Sequence, residues 1–279
     1  MTRSLSKKVG IASLIMMASV FISRVIGLFR EMVIAHISGA GAQVDAYQVA
    51  FVIPDILNHV VASGFMSVTF IPIFSRYLAA NREDDGWKVF SFILNCFGCF
   101  LVVLIIVAVA LTPQLIALIA PGLKNPGTIA SAVRMTRIIL PAQLFFFVGG
   151  LLMAVQFSKE RFFIPALAPL LYNLGIISGG ILLGPWIGLE GFAWGVLIGA
   201  FGGNLLVQFF GVRKTGLQYR FIFDLGHPDL RKYVFLTLPL MVGLTMTFST
   251  EFFFRLFGSY LPEGSIAVLN FGLRIMLIL

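Results

Sequence analysis

Apolar positions run along this chain in stretches too long and unbroken for a water-soluble fold. Val89 to Leu123 is 35 residues without a charge, Phe162 to Leu189 is 28 and Gly191 to Val212 is 22, where about 20 apolar residues cross a bilayer as a helix. The same pattern predicts membrane helices over roughly 10–35, 46–76, 88–112, 128–157, 162–184, 190–212 and 233–258, with an eighth opening near 265. The basic start, Met1 to Lys8, followed by the apolar run Val9 to Ser23, has the outline of a signal peptide. The apolar pattern continues past Arg24 to about Ala35, so a retained first helix is expected. At the other end, Leu273 to Leu279 stops inside an apolar run with no polar flank, so a fragment or truncated product of a longer transporter-like protein is expected. The fold class is therefore all-α, a polytopic transmembrane helix bundle.

Composition removes the alternative of a soluble enzyme. Hydrophobic residues are 59% of the 279 and charged residues 11%, against about a quarter charged in ordinary globular chains. The formal charge of +8 would raise nucleic acid as a partner in a soluble protein. Here the basic residues flank apolar segments and report membrane orientation instead. With the N-terminus in the cytoplasm, 13 Lys and Arg fall in cytoplasmic segments, among them Arg76, Arg82, Lys88, Lys159, Arg161 and Arg213, and only Lys124 falls outside. Trp87, Trp186 and Trp194 sit near predicted helix ends, as an interfacial aromatic belt requires. The loop from Arg213 to Lys232 is expected at the anionic headgroups.

Six basic residues remain in or at the edges of spans: Arg24, Arg30, Arg134, Arg137, Arg255 and Arg274. A cation at the centre of a lipid-facing helix costs on the order of 3 kcal/mol, so these should face a watery cavity, a partner or an interface. Arg134 and Arg137 lie near the outer start of their helix, where snorkelling accounts for them. Arg24 and Glu31, seven apart, share a helix face to within about 20°, and Arg30 points about 120° from Arg24 unless Gly27 bends the helix. Two readings stand side by side: an internal Arg–Glu pair that pins helices together, and a cationic grip on an anionic substrate, since guanidinium matches phosphate in bidentate fashion. In the second span Asp55 and His59 lie at i and i+4, either a satisfied structural contact or a proton-exchanging pair.

Small residues give a plainer signal. Ser19, Ser23 and Gly27 form a stripe at spacing four, and so do Gly175 with Gly179 and Gly195, Gly199 and Gly203; close helix approach explains them. Cys96 and Cys99 lie inside an uncharged helix without further metal ligands nearby, and core packing is expected. No HExxH, GxSxG or phosphate-loop pattern is present. An intramembrane lipid phosphatase or transferase would need a compact acid, base or metal constellation, which the sequence does not supply; neither a catalytic site nor a cofactor is expected.

The run Ile22-Ser-Arg-Val-Ile-Gly-Leu-Phe-Arg-Glu31, followed by Ser38-Gly-Ala-Gly41, Asp45-Ala-Tyr-Gln-Val-Ala-Phe51, Ile53-Pro54 and Phe70-Ile-Pro72, resembles the start of the MviN/MurJ family of proposed lipid II flippases. The likeness continues through Pro165-Ala-Leu-Ala-Pro-Leu-Leu-Tyr-Asn173 and Leu261-Pro-Glu-Gly-Ser265 to Leu269-Asn-Phe-Gly-Leu-Arg274. It implies an inner-membrane transporter with two six-helix lobes around a central cavity. Residues 1–215 would be the first lobe, 216–232 a cytoplasmic linker and 233–279 the start of the second lobe. Alternating access would carry the sugar-diphosphate head of lipid II across while the polyprenyl tail stays in lipid.

By the same resemblance Arg24, Arg30, Glu31 and Arg274 would bind the diphosphate and Asp45 would serve an outer gate. Asn58 and His59 stand where relatives commonly have paired arginines of the gate, and Ser63 where they have a nearby glutamate. Phe254 replaces an acid that relatives carry before Arg255, and Glu251, one turn earlier, is the candidate for coupling a monovalent cation or proton. Membrane lipids and cell-wall synthesis enzymes are the implied partners. A membrane scaffold that binds the precursor or its synthetic enzymes without moving it is the competing expectation.

Overall fold

In the computed structural model the backbone is described for residues 2–59, 69–223 and 226–276, and side chains for 10–59, 69–223, 226–236 and 252–276. All regular elements among the described residues are helical. The first span is α1 (Thr2–Ser38). The second runs through α2 (Ala42–Ala50), α3 (Val52–Leu57) and α4 (Ile71–Ala79); Ser63 lies outside the described residues. The third is α5 (Glu83–Ile119) and the fourth is built from α6 (Pro126–Ile139) and α7 (Ala142–Ser158). Then come α8 (Phe163–Ile187) and a sixth span of α9 (Glu190–Gly199), a π-helical stretch (Ala200–Leu206) and α10 (Val207–Arg213). The last two are α11 (Pro228–Gly258) and α12 (Ser265–Met276). Among the described residues, five segments are long and apolar enough to cross a membrane: Gly10–Ser38, Glu83–Ile119, Pro126–Ser158, Phe163–Ile187 and Glu190–Arg213. The protein is a multi-pass membrane protein.

The glycine stripes do what their spacing predicts. A Cβ on Gly175 would stand 2.4 Å from the Cα of Gly199, and one on Gly179 would stand 2.4 Å from the Cα of Gly195. The backbones of α8 and α9 therefore touch, which gives dispersion contact where lipid supplies no hydrophobic driving force. Gly179→Val should cost about 1–3 kcal/mol by overpacking, read as a lower melting temperature in detergent; an unchanged melting temperature would mean that the helices separate freely. The α1 stripe packs on α8 as well: Ser19 Oγ donates to the Ala166 carbonyl at 2.5 Å, and Asn173 Nδ2 donates to Ser23 Oγ at 3.2 Å.

Three expectations are corrected at the basic end of the bundle and along α5. At 37 residues and 1.5 Å rise, α5 is about 55 Å long, well beyond a hydrocarbon core of about 30 Å. Part of it therefore extends past the hydrocarbon, and Glu83, Asp84 and Asp85 in the first turn mark the N-terminal end as the polar one. There Trp87 is buried, with Phe74 and Phe90 edge-on at 5.3 and 5.5 Å and its indole N–H on Glu83, so it is core and not part of an interfacial belt. Trp186 and Trp194 are exposed, as the belt requires. The segment after α10 is stitched to α5: Arg220 N donates to Ser91 Oγ at 3.0 Å, Tyr219 Oη to Asn95 Oδ1 at 2.7 Å, and Asn95 Nδ2 to the Ile222 carbonyl at 2.9 Å. The stitching anchors one edge of the segment to α5, while Arg213, Lys214, Arg220, Arg231 and Lys232 stay exposed. Cys99 is exposed and so does not pack in the core.

The basic end is also tied by charge. Asp229, in the first turn of α11, accepts from Arg76 Nη2 at 2.6 Å and Tyr77 Oη at 2.5 Å. Burial opposes its ionisation, but these two donors outweigh burial and hold the carboxyl below the ordinary aspartate value. Because the folded value is lowered, the stabilisation is complete above the unfolded value near 3.8 and is lost as pH falls through the folded one. Wild type should therefore melt above Asp229→Asn at neutral pH, with the gap closing only below pH 3.8. A gap that does not change with pH would show that the carboxylate charge contributes nothing.

Candidate functional site

Between the helices lies a cavity of about 570 Å³, walled by α1, α2, α3, α6, α7, α8, α11 and α12. Arg24, Arg30 and Glu31 of α1, Asp55 of α3, Asn58 just beyond it, Arg255 of α11 and Arg274 of α12 all line it. Among the described residues, that is four guanidinium groups against two carboxylates. Guanidinium stays charged at any relevant pH, so the cavity carries an excess of positive charge. Such an excess inside a membrane protein calls for an anionic guest.

The geometry around Arg30 is the most constrained. Its Nη2 donates to Glu31 Oε1 at 2.6 Å and its Nη1 to Asn173 Oδ1 at 3.1 Å. Asn173 is in turn fixed by donating to Ser23 Oγ at 3.2 Å and to the Pro169 carbonyl at 3.0 Å. Among the described residues Arg30 Nε and Glu31 Oε2 have no hydrogen-bond partner. Both atoms are buried as the helices now stand, so a ligand oxygen or a cation reaches them only if these side chains shift. Glu31 pairs with its immediate neighbour Arg30, so no bend at Gly27 is needed to bring Arg30 to the acid.

The other predicted residues divide. Arg24 and Arg274 line the cavity and are exposed, and Asn58 lines it half-buried. His59 is not in the cavity lining among the described residues; its Nδ1 hydrogen-bonds the Asp55 carbonyl one turn back at 2.8 Å. Glu251 lies on α11, with its side chain outside the described residues. Arg134 is at the far end of the bundle, paired with Glu190 at 2.6 Å, and Arg137 Nε reaches the Val109 carbonyl at 3.2 Å, so neither enters the cavity.

Asp45 is on the first turn of α2, not in a loop, and is buried outside the cavity. Its Oδ2 accepts from Gly264 N at 2.5 Å and its Oδ1 from Ala267 N at 2.8 Å. It therefore binds the N-terminus of α12, where unpaired N–H groups and the helix dipole favour an anion. Gly264 has φ +92, and a Cβ there would stand 2.1 Å from the Ala40 carbonyl oxygen, so the turns that precede α2 and α12 meet backbone to backbone. Nearby, Gly122 N donates to Ser259 Oγ at 3.0 Å.

Arg255 was expected to face a watery cavity, a partner or an interface, whereas Asn173, Tyr47, Gln48 and Gln143, which also line the cavity, were not singled out as site residues. Their signal is weak: one uncharged polar side chain in an apolar span is as often a packing contact, and only the fold shows these converging. Among the described residues no group of three or more His, Cys, Asp or Glu could hold a metal ion.

A sequence model of the family described as lipid II flippase MurJ matches residues 34–279. The lipid II flippase MurJ of Burkholderia cenocepacia is 28% identical over 262 residues, covering 91% of this chain and 51% of that protein. The probable lipid II flippase MurJ of Aquifex aeolicus is 27% identical over 272 residues, covering 96% and 52%. The chain spans about half the length of the curated relatives it matches. Among solved structures, a lipid II flippase MurJ in an inward closed conformation superposes with a TM-score of 0.78 at 25% identity, over 95% of this chain and 54% of that one. A MATE crystal structure shares the fold, with a TM-score of 0.75 at 16% identity over 98% of this chain and 61% of the other. The family match takes in α2 to α12, with both the Asp45 joint and the cavity arginines Arg255 and Arg274, and the chain belongs to the lipid II flippase MurJ family.

Proposed function

We propose that the protein carrying this chain moves a polyprenyl-diphosphate-linked cell-wall precursor, lipid II, from the cytoplasmic to the outer leaflet of the bacterial inner membrane by alternating access. The observation that carries the reading is the cavity with four guanidinium groups and two carboxylates. A diphosphate supplies the missing negative charge and presents oxygens that match guanidinium in paired hydrogen bonds. No bond of the substrate is made or broken in this reading.

The basic end faces the cytoplasm, since 13 of the Lys and Arg cluster there, and the Asp45 joint closes the outer end. Arg24, Arg30, Arg255 and Arg274 hold the diphosphate, and Glu31 keeps Arg30 placed and competes for it on release. A monovalent cation or proton drives the cycle or the membrane potential does, at about 2.3 kcal/mol per charge per 100 mV. In proteoliposomes the protein should move a labelled polyprenyl-diphosphate sugar between leaflets and leave a neutral polyprenyl glycoside behind. Equal movement of both would remove the diphosphate from recognition, and movement of neither would favour the scaffold.

A further inference from the structure

Arg137 stands apart from the cavity and carries a charge that nothing among the described residues balances. Ile139, two positions on and so about 160° round α6 from it, lines the cavity; Arg137 is therefore on the outward face of the helix, where it is exposed. Its Nε donates to the Val109 carbonyl of α5 at 3.2 Å, and among the described residues it takes part in no ion pair and no other hydrogen bond. Proline explains why that carbonyl is free. A helical carbonyl accepts from the N–H four residues on, and Pro113, inside α5, has none to give to Val109. Thr112 Oγ1 at 3.1 Å and Arg137 Nε take its place. The guanidinium is thus held by one atom in the seam between α5 and α6, with its Nη1 and Nη2 groups open.

Depth makes this placement costly. Val109 is ten residues, about 15 Å, short of Ile119 at the end of α5, and Arg137 is eleven residues, about 17 Å, past Pro126 at the start of α6. The surface around the seam is apolar: Ile106, Val107 and Leu111 of α5 are exposed, and so is Leu118 nearer the end of that helix. Arg134, one turn back on the same exposed face of α6, is already paired with Glu190 at 2.6 Å and adds no net charge. A cation on a lipid-facing surface at this depth is tolerated when its long side chain reaches headgroup phosphates or draws them inward. The Cα–Cβ bond of Arg137 leans towards the start of α6, the end that also carries Lys124, so the nearer phosphates are those of the leaflet on the Lys124 side.

We infer that Arg137, set in the seam that Pro113 opens, is a binding site for the phosphodiester of a phospholipid in that leaflet, on the outside of the bundle and separate from the cavity. The open Nη1 and Nη2 groups present parallel N–H donors to the two non-bridging phosphate oxygens, and the guanidinium stays charged at any relevant pH. The acyl chains lie along the exposed apolar side chains of α5. A lipid-facing surface meets the bilayer's own phosphates before any other anion, which selects a phospholipid over the transported lipid as the occupant. The leaflet is the outer one in the orientation given above, and the binding itself does not depend on that orientation.

The test is lipid-dependent thermal stabilisation of the purified full-length protein in detergent. A ligand that binds the folded protein raises its melting temperature with concentration. The probes are phosphatidylglycerol, diacylglycerol with the same acyl chains as the phosphate-free control, and polyprenyl diphosphate. Wild type should be stabilised by phosphatidylglycerol at concentrations where diacylglycerol has no effect. Arg137→Gln keeps a side-chain N–H for the Val109 carbonyl and removes the charge; it should need about ten- to a hundredfold more phosphatidylglycerol for the same shift. Arg137→Lys, which keeps the charge and loses the paired donors, should fall between the two. Each shift is taken from the variant's own lipid-free melting temperature, so a variant that is merely less stable still reports binding. Polyprenyl diphosphate should act on wild type and on Arg137→Gln alike. An unchanged response of Arg137→Gln to phosphatidylglycerol overturns the site, and so does a loss confined to polyprenyl diphosphate, which would assign Arg137 to the transported lipid.

Discussion

Arg30→Ala is expected to abolish rescue of a flippase-depleted strain by the protein carrying this chain, with the protein still expressed and folded but at a lower melting temperature. Truncation removes the guanidinium from the cavity wall together with the donors to Glu31 Oε1 and Asn173 Oδ1. A charged hydrogen bond is worth about 1.5–3 kcal/mol, so losing the guanidinium should weaken diphosphate binding by about ten- to a hundredfold or more. The strain left on Glu31 adds to this, because removing one partner of a buried pair costs about 3–5 kcal/mol. Two further variants separate the contributions. Arg30→Lys keeps the charge but loses the planar fork, and should bind weakly and transport slowly. Arg30→Ala with Glu31→Ala restores the charge balance and should recover stability but not transport. Normal growth with the single alanine variant would take Arg30 out of the mechanism.

Asp45→Ala should have the second largest effect, and a different one. The carboxylate ties α2 to the start of α12 by two hydrogen bonds, to Gly264 N and Ala267 N. Neither bond touches the cavity. Losing both removes several kcal/mol from the joint by the same scale of about 1.5–3 kcal/mol each. A shift of that size moves a two-state equilibrium by a hundredfold or more. The joint should then open, and a cysteine placed at Asn58 on the cavity wall should react with a membrane-impermeant thiol reagent added from the side of Lys124. Asp45→Asn keeps one acceptor and should give an intermediate rate. Unchanged labelling in the alanine variant would show that the close approach of Gly264 to Ala40 holds this end shut without the carboxylate.

Much of the fold was legible because a bilayer allows few solutions. Uncharged windows of 22–35 residues had to be helices, and glycines at spacing four had to be close contacts, which Gly175 against Gly199 and Gly179 against Gly195 are. The length of α5 was underestimated because its first turns read as polar flank, whereas they are a protein-covered extension that buries Trp87 and receives the chain after α10. For the site, the energetic argument that six guanidiniums in spans need polar surroundings selected the right class of residue. Four of the six line one cavity, and Arg134 and Arg137 are hydrogen-bonded at the far end. Which acid pairs with which arginine did not follow from helix angles, since side chains as long as Arg30 and Glu31 meet despite the rotation of about 100° between neighbouring positions. The neutral wall of Tyr47, Gln48 and Gln143 was not legible, because an isolated amide or phenol within an apolar helix carries no directional signal until neighbouring helices are placed.

The central claim, that these guanidiniums are arranged for a diphosphate, is tested most directly by solving the full-length protein with a polyprenyl-diphosphate-linked sugar bound. The account predicts diphosphate oxygens within hydrogen-bond distance, about 2.7–3.2 Å, of Arg30 and at least one of Arg24, Arg255 and Arg274, inside the cavity they line. A diphosphate bound elsewhere, with Arg30 still engaged only by Glu31 and Asn173, would contradict it.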